Sequence, residues 1–179
     1  MAPGDILDFW FGQLKPAQWF KPDAALDTEV GRRFGTVYDE LQREVSGAWR
    51  NGARAFLAAV IVLDQFPRNM FRGTPKAFST DAAALALSAE AIEGEFDRSL
   101  STIERQFLYM PFQHAEDRAV QARSIALFEA LGDASVLDYA RRHRAVVEQF
   151  GRFPHRNEIL GRTSTTEEIE FLRQPGSSF

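Results

Sequence analysis

Three stretches of this sequence carry the side chains that chemistry needs. The segment Tyr109-Met-Pro-Phe-Gln-His-Ala-Glu-Asp117 sets one imidazole and two carboxylates just after a proline. An unperturbed imidazole titrates near neutral pH, so His114 is a candidate general acid or base, and Glu116 or Asp117 could fix its tautomer or hold it charged. Gln121, one helical turn further on, would face the same space. The competing reading is structural. Glu116 and Asp117 stand where the start of a helix favours negative charge, and for Asp117 this capping role is the stronger expectation.

The other two stretches are loops of one design. Asp64-Gln-Phe-Pro-Arg-Asn-Met-Phe-Arg-Gly73 and Glu148-Gln-Phe-Gly-Arg-Phe-Pro-His-Arg-Asn-Glu-Ile-Leu-Gly-Arg162 each carry Gln-Phe, then Pro, then Arg-Asn, then a further Arg. A guanidinium is a planar fork that grips carboxylate or phosphate through two parallel hydrogen bonds. Arg68, Arg72, Arg152, Arg156 and Arg162, with His155 beside them and Asn69 and Asn157 adding amide groups, are therefore candidate ligands for an anionic small molecule. Alternatively, each Arg satisfies helix C-terminal carbonyls or pairs with Asp64, Glu148 or Glu158, and each Asn closes a local turn.

Other chemistries find no footing. The chain has no cysteine, which removes thiolate metal sites, cysteine nucleophiles and disulfides together. His114, His143 and His155 are the only histidines, and none shows the paired spacing of a zinc helix, so no metal is expected. His143 falls on an apolar helical stripe and reads as a hydrogen-bonded core residue. Nucleophile-elbow, glycine-rich phosphate and dinucleotide motifs are missing, and no cofactor is expected. Trp10, Phe11, Trp19, Phe20 and Trp49 could line an aromatic pocket, although aromatic residues at helical positions are usually core. A net charge of -4 argues against a nucleic-acid or anionic-membrane surface.

The elements that must position these residues are helices. Leu26, Val30, Phe34, Val37, Leu41 and Val45 recur at three- and four-residue steps, which predicts an amphipathic helix between Asp23 and Ser46, capped by Asp23 or Asp27. A second helix, from Asn51 to about Phe66, is apolar on nearly every face and should be central, with Pro67 breaking it. Further helices are expected from Thr80 or Ser79 to Ile92, from Ser101 to Met110 with an end or kink at Pro111, from Glu116 to Leu131, and from Val136 to Phe150. Thr165 and Glu168 have capping-box spacing ahead of a short last helix to Arg173. Strand alternation is convincing nowhere. The expected fold is all-α, a stack or bundle of antiparallel helical hairpins, within one domain spanning residues 1–179. The longest apolar run, from Ala55 to Leu63, is too short for a membrane span, and the N-terminus does not read as a signal peptide, so a cytoplasmic location is expected.

These stretches resemble an uncharacterised bacterial family, domain-of-unknown-function family 924. The resemblance is carried by Ile6-Leu-Asp-Phe-Trp-Phe-Gly12 and Trp19-Phe20, by Leu63-Asp-Gln-Phe-Pro-Arg-Asn69 and Arg72-Gly-Thr-Pro75, and by Tyr109-Met-Pro-Phe112 with His114 and Glu116. It ends in Phe150-Gly-Arg-Phe-Pro-His-Arg-Asn157 and Leu160-Gly-Arg162. It implies a tetratricopeptide-like α-α superhelix and no established activity. Ala115 departs from the small hydroxyl residue expected in relatives. Two functions remain open on the residues alone. One is a site for an anionic small molecule with proton transfer by His114 and Glu116, which could operate as an enzyme. The other is a non-enzymatic module that grips a peptide or protein partner; self-association into a homo-oligomer is compatible with either.

Overall fold

Apolar residues one helical turn apart, from Leu26 to Leu41, can bury together only if the backbone coils, and there it does. A computed structural model describes residues 1–178, among which no strand occurs. The chain is all-helical, and its packing divides it into two compact units, residues 1–72 with 76–111 and residues 73–75 with 112 onward. No helix among the described residues is long and apolar enough to cross a membrane.

The first unit opens with α1 (Pro3–Leu7), which widens into a π-helical segment at Asp8–Gln13, and continues into the short α2 (Pro16–Trp19). Periodicity does not reveal these elements, because Pro3, Gly12 and Pro16 interrupt the pattern. The long α3 (Ala24–Arg43) starts where the Asp23 carboxylate accepts the Ala25 and Leu26 N–H groups, two donors that the helix itself cannot satisfy. Its apolar stripe buries Leu26, Val30, Phe34, Val37 and Leu41, each contributing roughly 1.5–3 kcal/mol of apolar burial. Phe34 is the centre of that packing, with ring centroids 4.8 Å from both Phe9 and Phe66.

The apolar helix α4 (Ala53–Val60) is buried on nearly every side, as expected of a central element. Pro67 does not end it. The helix widens into a π segment, Ile61–Gln65, and runs on as α5 (Phe66–Met70). The Phe66 N–H bonds the Ile61 carbonyl, a five-residue step that resets the register. Pro67 then falls in the first turn of α5, where a missing N–H leaves no helical bond unmade. Next come α6 (Asp81–Glu93), closed at Gly94, and α7 (Thr102–His114). Ser101 and Glu104 cap α7 reciprocally: the Ser101 N–H lies 3.0 Å from a Glu104 carboxylate oxygen, and the Glu104 N–H lies 3.4 Å from the Ser101 hydroxyl. Pro111 neither stops nor shortens this helix. Phe107, Leu108, Tyr109 and Met110 are all buried just before it, and that packing outweighs one lost backbone bond, so α7 extends to His114.

In the second unit α8 (Arg118–Glu129) and α9 (Ala134–Phe150) form a packed hairpin. Asp117 caps α8 by accepting the Val120 N–H at 2.9 Å, the role expected of it. Gly151, with φ of 72°, terminates α9 in the left-handed region. A 3-10 turn at Pro154–Arg156 follows, then α10 (Thr166–Leu172), capped by Thr165 and Glu168 as their spacing predicts. Val146, Val147 and Phe153 form the core here, with Phe150 and Phe171 packed against them.

Candidate functional site

Arg68, Asn69 and Arg72 of the first Arg-Asn loop lie in the first unit, and its forks are occupied. Arg68 donates to both oxygens of Asp81 at 3.0 and 3.1 Å and to the backbone carbonyl of Asp64. Asn69 donates to Asp27 at 2.8 Å, and Arg72 grips the same carboxylate at 2.8 and 2.9 Å. Burial raises the Asp27 carboxyl, yet the hydrogen bonds from Arg72 and Asn69 prevail and hold it below its ordinary value. The loop thus fastens the end of α5 to α3 and to the start of α6. Sequence reading misses Asp27 and Asp81 as partners, because Arg72 and Asp27 stand 45 residues apart and nothing local links them.

The second loop lies wholly in the second unit and forms a closed net. Arg152 grips Glu168 at 2.6 and 2.8 Å and donates to the Thr163 carbonyl at 2.9 Å. Glu168, only 1% exposed, also accepts the Thr165 N–H at 2.8 Å and the Asn157 amide at 3.2 Å. The Arg152 hydrogen bond is the leading cause of its carboxyl being held down at about 2. Arg162 grips Glu116 at 2.6 and 2.9 Å, and also donates to the Asn157 side-chain oxygen and the Phe153 carbonyl. Glu116 accepts the Phe153 N–H at 2.7 Å. Burial raises the Glu116 carboxyl, but the bonds from Arg162 and Phe153 hold it below its ordinary value.

Around Phe153 the three histidines of the chain come together. His143 is 4% exposed on α9, and its Nδ1 lies 2.8 Å from the Tyr139 carbonyl. Nδ1 therefore carries the proton and donates it, which leaves Nε2 to accept from the Gln113 amide at 3.4 Å. The His143 ring centroid is 6.3 Å from that of His114 and 5.6 Å from Phe153. His155 lies 5.6 Å from Phe153 on another side, and the buried Arg156 guanidinium sits over the same ring at 4.6 Å. His114 and His155 are half-buried, whereas His143 and Arg156 are interior.

The electrostatics of this cluster run one way. Burial, followed by the charge of His114, pushes the His143 imidazole down to about 3. Burial, then Arg156, push His155 down to about 4, with Glu116 opposing and His114 and Arg162 adding to the depression. Both carboxylates nearby are already gripped by arginine. Among the described residues no group of three or more His, Asp and Glu side chains is arranged to hold a metal ion. A shallow depression of about 320 Å³ borders the Arg152–Glu168 pair and is also lined by Gln149, Phe150, Thr165 and Glu167. Residues that sequence reading overlooks here are Phe153, which joins the cluster, and Gln113, whose amide meets His143. An aromatic residue in a loop of arginines was the available signal.

The family model described as a bacterial protein of unknown function (DUF924) matches residues 6–176. A solved structure of a protein of unknown function from Agrobacterium tumefaciens is similar, with a TM-score of 0.90 at 44% sequence identity over 96% of this chain and 96% of that one. No curated protein matches. As the motifs at both ends and in the middle anticipate, the chain belongs to this bacterial family, domain-of-unknown-function family 924.

Proposed function

We propose that the second unit recognises a small carboxylate- or phosphate-bearing molecule at the cluster of His114, His155 and Arg156. The observation that carries this reading is the packing of a buried guanidinium and the imidazoles of His143 and His155 around one phenyl ring, with His114 against His143, while Glu116 and Glu168 are gripped by Arg162 and Arg152. An entering anion is the charge that the Arg156 guanidinium favours, and it would meet the half-buried His114 and His155 before the buried Arg156. Because Glu116 is held ionised, it positions the Phe153 backbone and Arg162, and His114 is the group that exchanges a proton with the ligand. Arg68, Asn69 and Arg72 serve as clips within the first unit.

A ligand present at about 100 times its Kd adds about 2.7 kcal/mol to stability, so thermal shift in the presence of small carboxylates and phosphates is the direct test. At least one should raise the melting temperature of the wild type and of Arg68→Gln, but not of Arg156→Gln. His155→Asn, at a half-buried position, provides the second variant if Arg156→Gln folds poorly. An unresponsive wild type, or an undiminished response in both site variants, would overturn the proposal.

A further inference from the structure

Two polar atoms on α8 are buried without hydrogen-bond partners among the described residues. Gln121 is fully buried, and its amide nitrogen donates at 2.7 and 2.8 Å to the carbonyls of Gln113 and Ala115, the residues on either side of His114. Those bonds fix which end of the amide is nitrogen. The opposite end, Oε1, accepts nothing, and the hydroxyl of Ser124, also fully buried and one helical turn further along α8, is likewise unmet. Each such group forfeits its solvation without compensation if it stays so.

We propose that Gln121 Oε1 and Ser124 Oγ are the inner end of the anion site, and that they bind a hydroxyl group carried by the ligand beside its carboxylate or phosphate. The inference rests on the anion-binding reading. An amide oxygen only accepts, whereas a serine hydroxyl both donates and accepts, so the group that satisfies both must donate to the first and can accept from the second. A hydroxyl does this. An ammonium could donate to both, but it would enter surroundings already made positive by Arg156, whose charge also helps to keep His143 and His155 unprotonated. Gln121 and Ser124 stand three apart on α8, so their side chains are neighbours on one face of the helix. The ligand class narrows accordingly to hydroxy acids and the phosphates of alcohols that keep a free hydroxyl.

Titration calorimetry with matched probes tests this: propionate against lactate, and propyl phosphate against 3-hydroxypropyl phosphate, the members of each pair differing by one hydroxyl group. The wild type should bind the hydroxylated member of at least one pair about tenfold more tightly, the worth of one good hydrogen bond. Ser124→Ala, or Ser124→Cys if the alanine variant is poorly folded, should bring both members of that pair to the same affinity, and Arg156→Gln should weaken both together. Equal affinities within both pairs in the wild type would overturn the inference and leave the anion site standing. A preference that survives in the serine variant overturns it in the same way. If neither member of either pair binds, the anion site itself fails, and the hydroxyl subsite fails with it.

Discussion

At the scale of single residues, the second unit depends on keeping imidazoles neutral. An unfolded imidazole takes its proton near pH 6.5, whereas folded His143 resists down to about 3 and His155 to about 4. Below pH 6.5 the unfolded chain therefore binds more protons than the folded one, so this contribution to stability is complete above about 6.5 and is lost as pH falls. Glu116 and Glu168 act in a lower window: with folded carboxyls held down, they contribute above their ordinary 4.5 and are lost as pH drops further, for Glu168 towards about 2. Stability lost between pH 6.5 and 5 consequently belongs to the histidines, and His143 alone should cost about 2 kcal/mol by pH 5. Urea denaturation at pH 8, 6.5 and 5 measures this. His143→Gln should lower stability at pH 8 but flatten the fall between 6.5 and 5, and a wild type equally stable at all three values would contradict the assignment.

At the scale of elements, two glycines show opposite relations between backbone and side chain. Gly151 holds φ at 72° where α9 ends, and an alanine there meets no neighbouring atom within 4 Å, so the whole penalty is conformational, about 1–2 kcal/mol. Gly35 sits within α3, likewise with open space around an added Cβ, and alanine there should stabilise by about 0.5–1 kcal/mol through the backbone freedom it removes from the unfolded chain. Thermal unfolding of Gly151→Ala and Gly35→Ala should therefore move in opposite directions. The ends of elements were legible because capping is local: Asp23, Ser101 with Glu104, Thr165 with Glu168, Gly94 and Gly151 all act within a few residues of their own helix. Pro67 and Pro111 misled because their cost depends on what surrounds them, a π turn in one case and a buried face in the other. The polar candidates were legible as residue types, but their partners were not. The pairings of Arg72 with Asp27 and of Arg162 with Glu116 cross 45 and 46 residues, distances that no local pattern spans.

At the scale of the whole molecule, charge is distributed against the site. The chain carries a net charge of -4 and a sequence pI of about 5.4, so the overall field does not favour an anion, and the proposed site must attract one through its local cluster. Acidification brings net charge to zero in the same interval in which the buried histidines withdraw their contribution to stability. Loss of mutual repulsion then coincides with partial destabilisation, and association should follow. Light scattering recorded from pH 8 to pH 4 should peak close to 5.4, and a flat profile through that interval would contradict this account. The gathering of His143 and His155 against one phenyl ring, with His114 beside His143, has a further use. Since the sequence contains three histidines and no more, every imidazole resonance in a proton NMR spectrum originates in this cluster, and the ring current of Phe153 should spread those lines apart. The unlabelled protein thus carries its own spectroscopic reporter, in which ligand entry, protonation and loss of packing can each be followed on the same few signals.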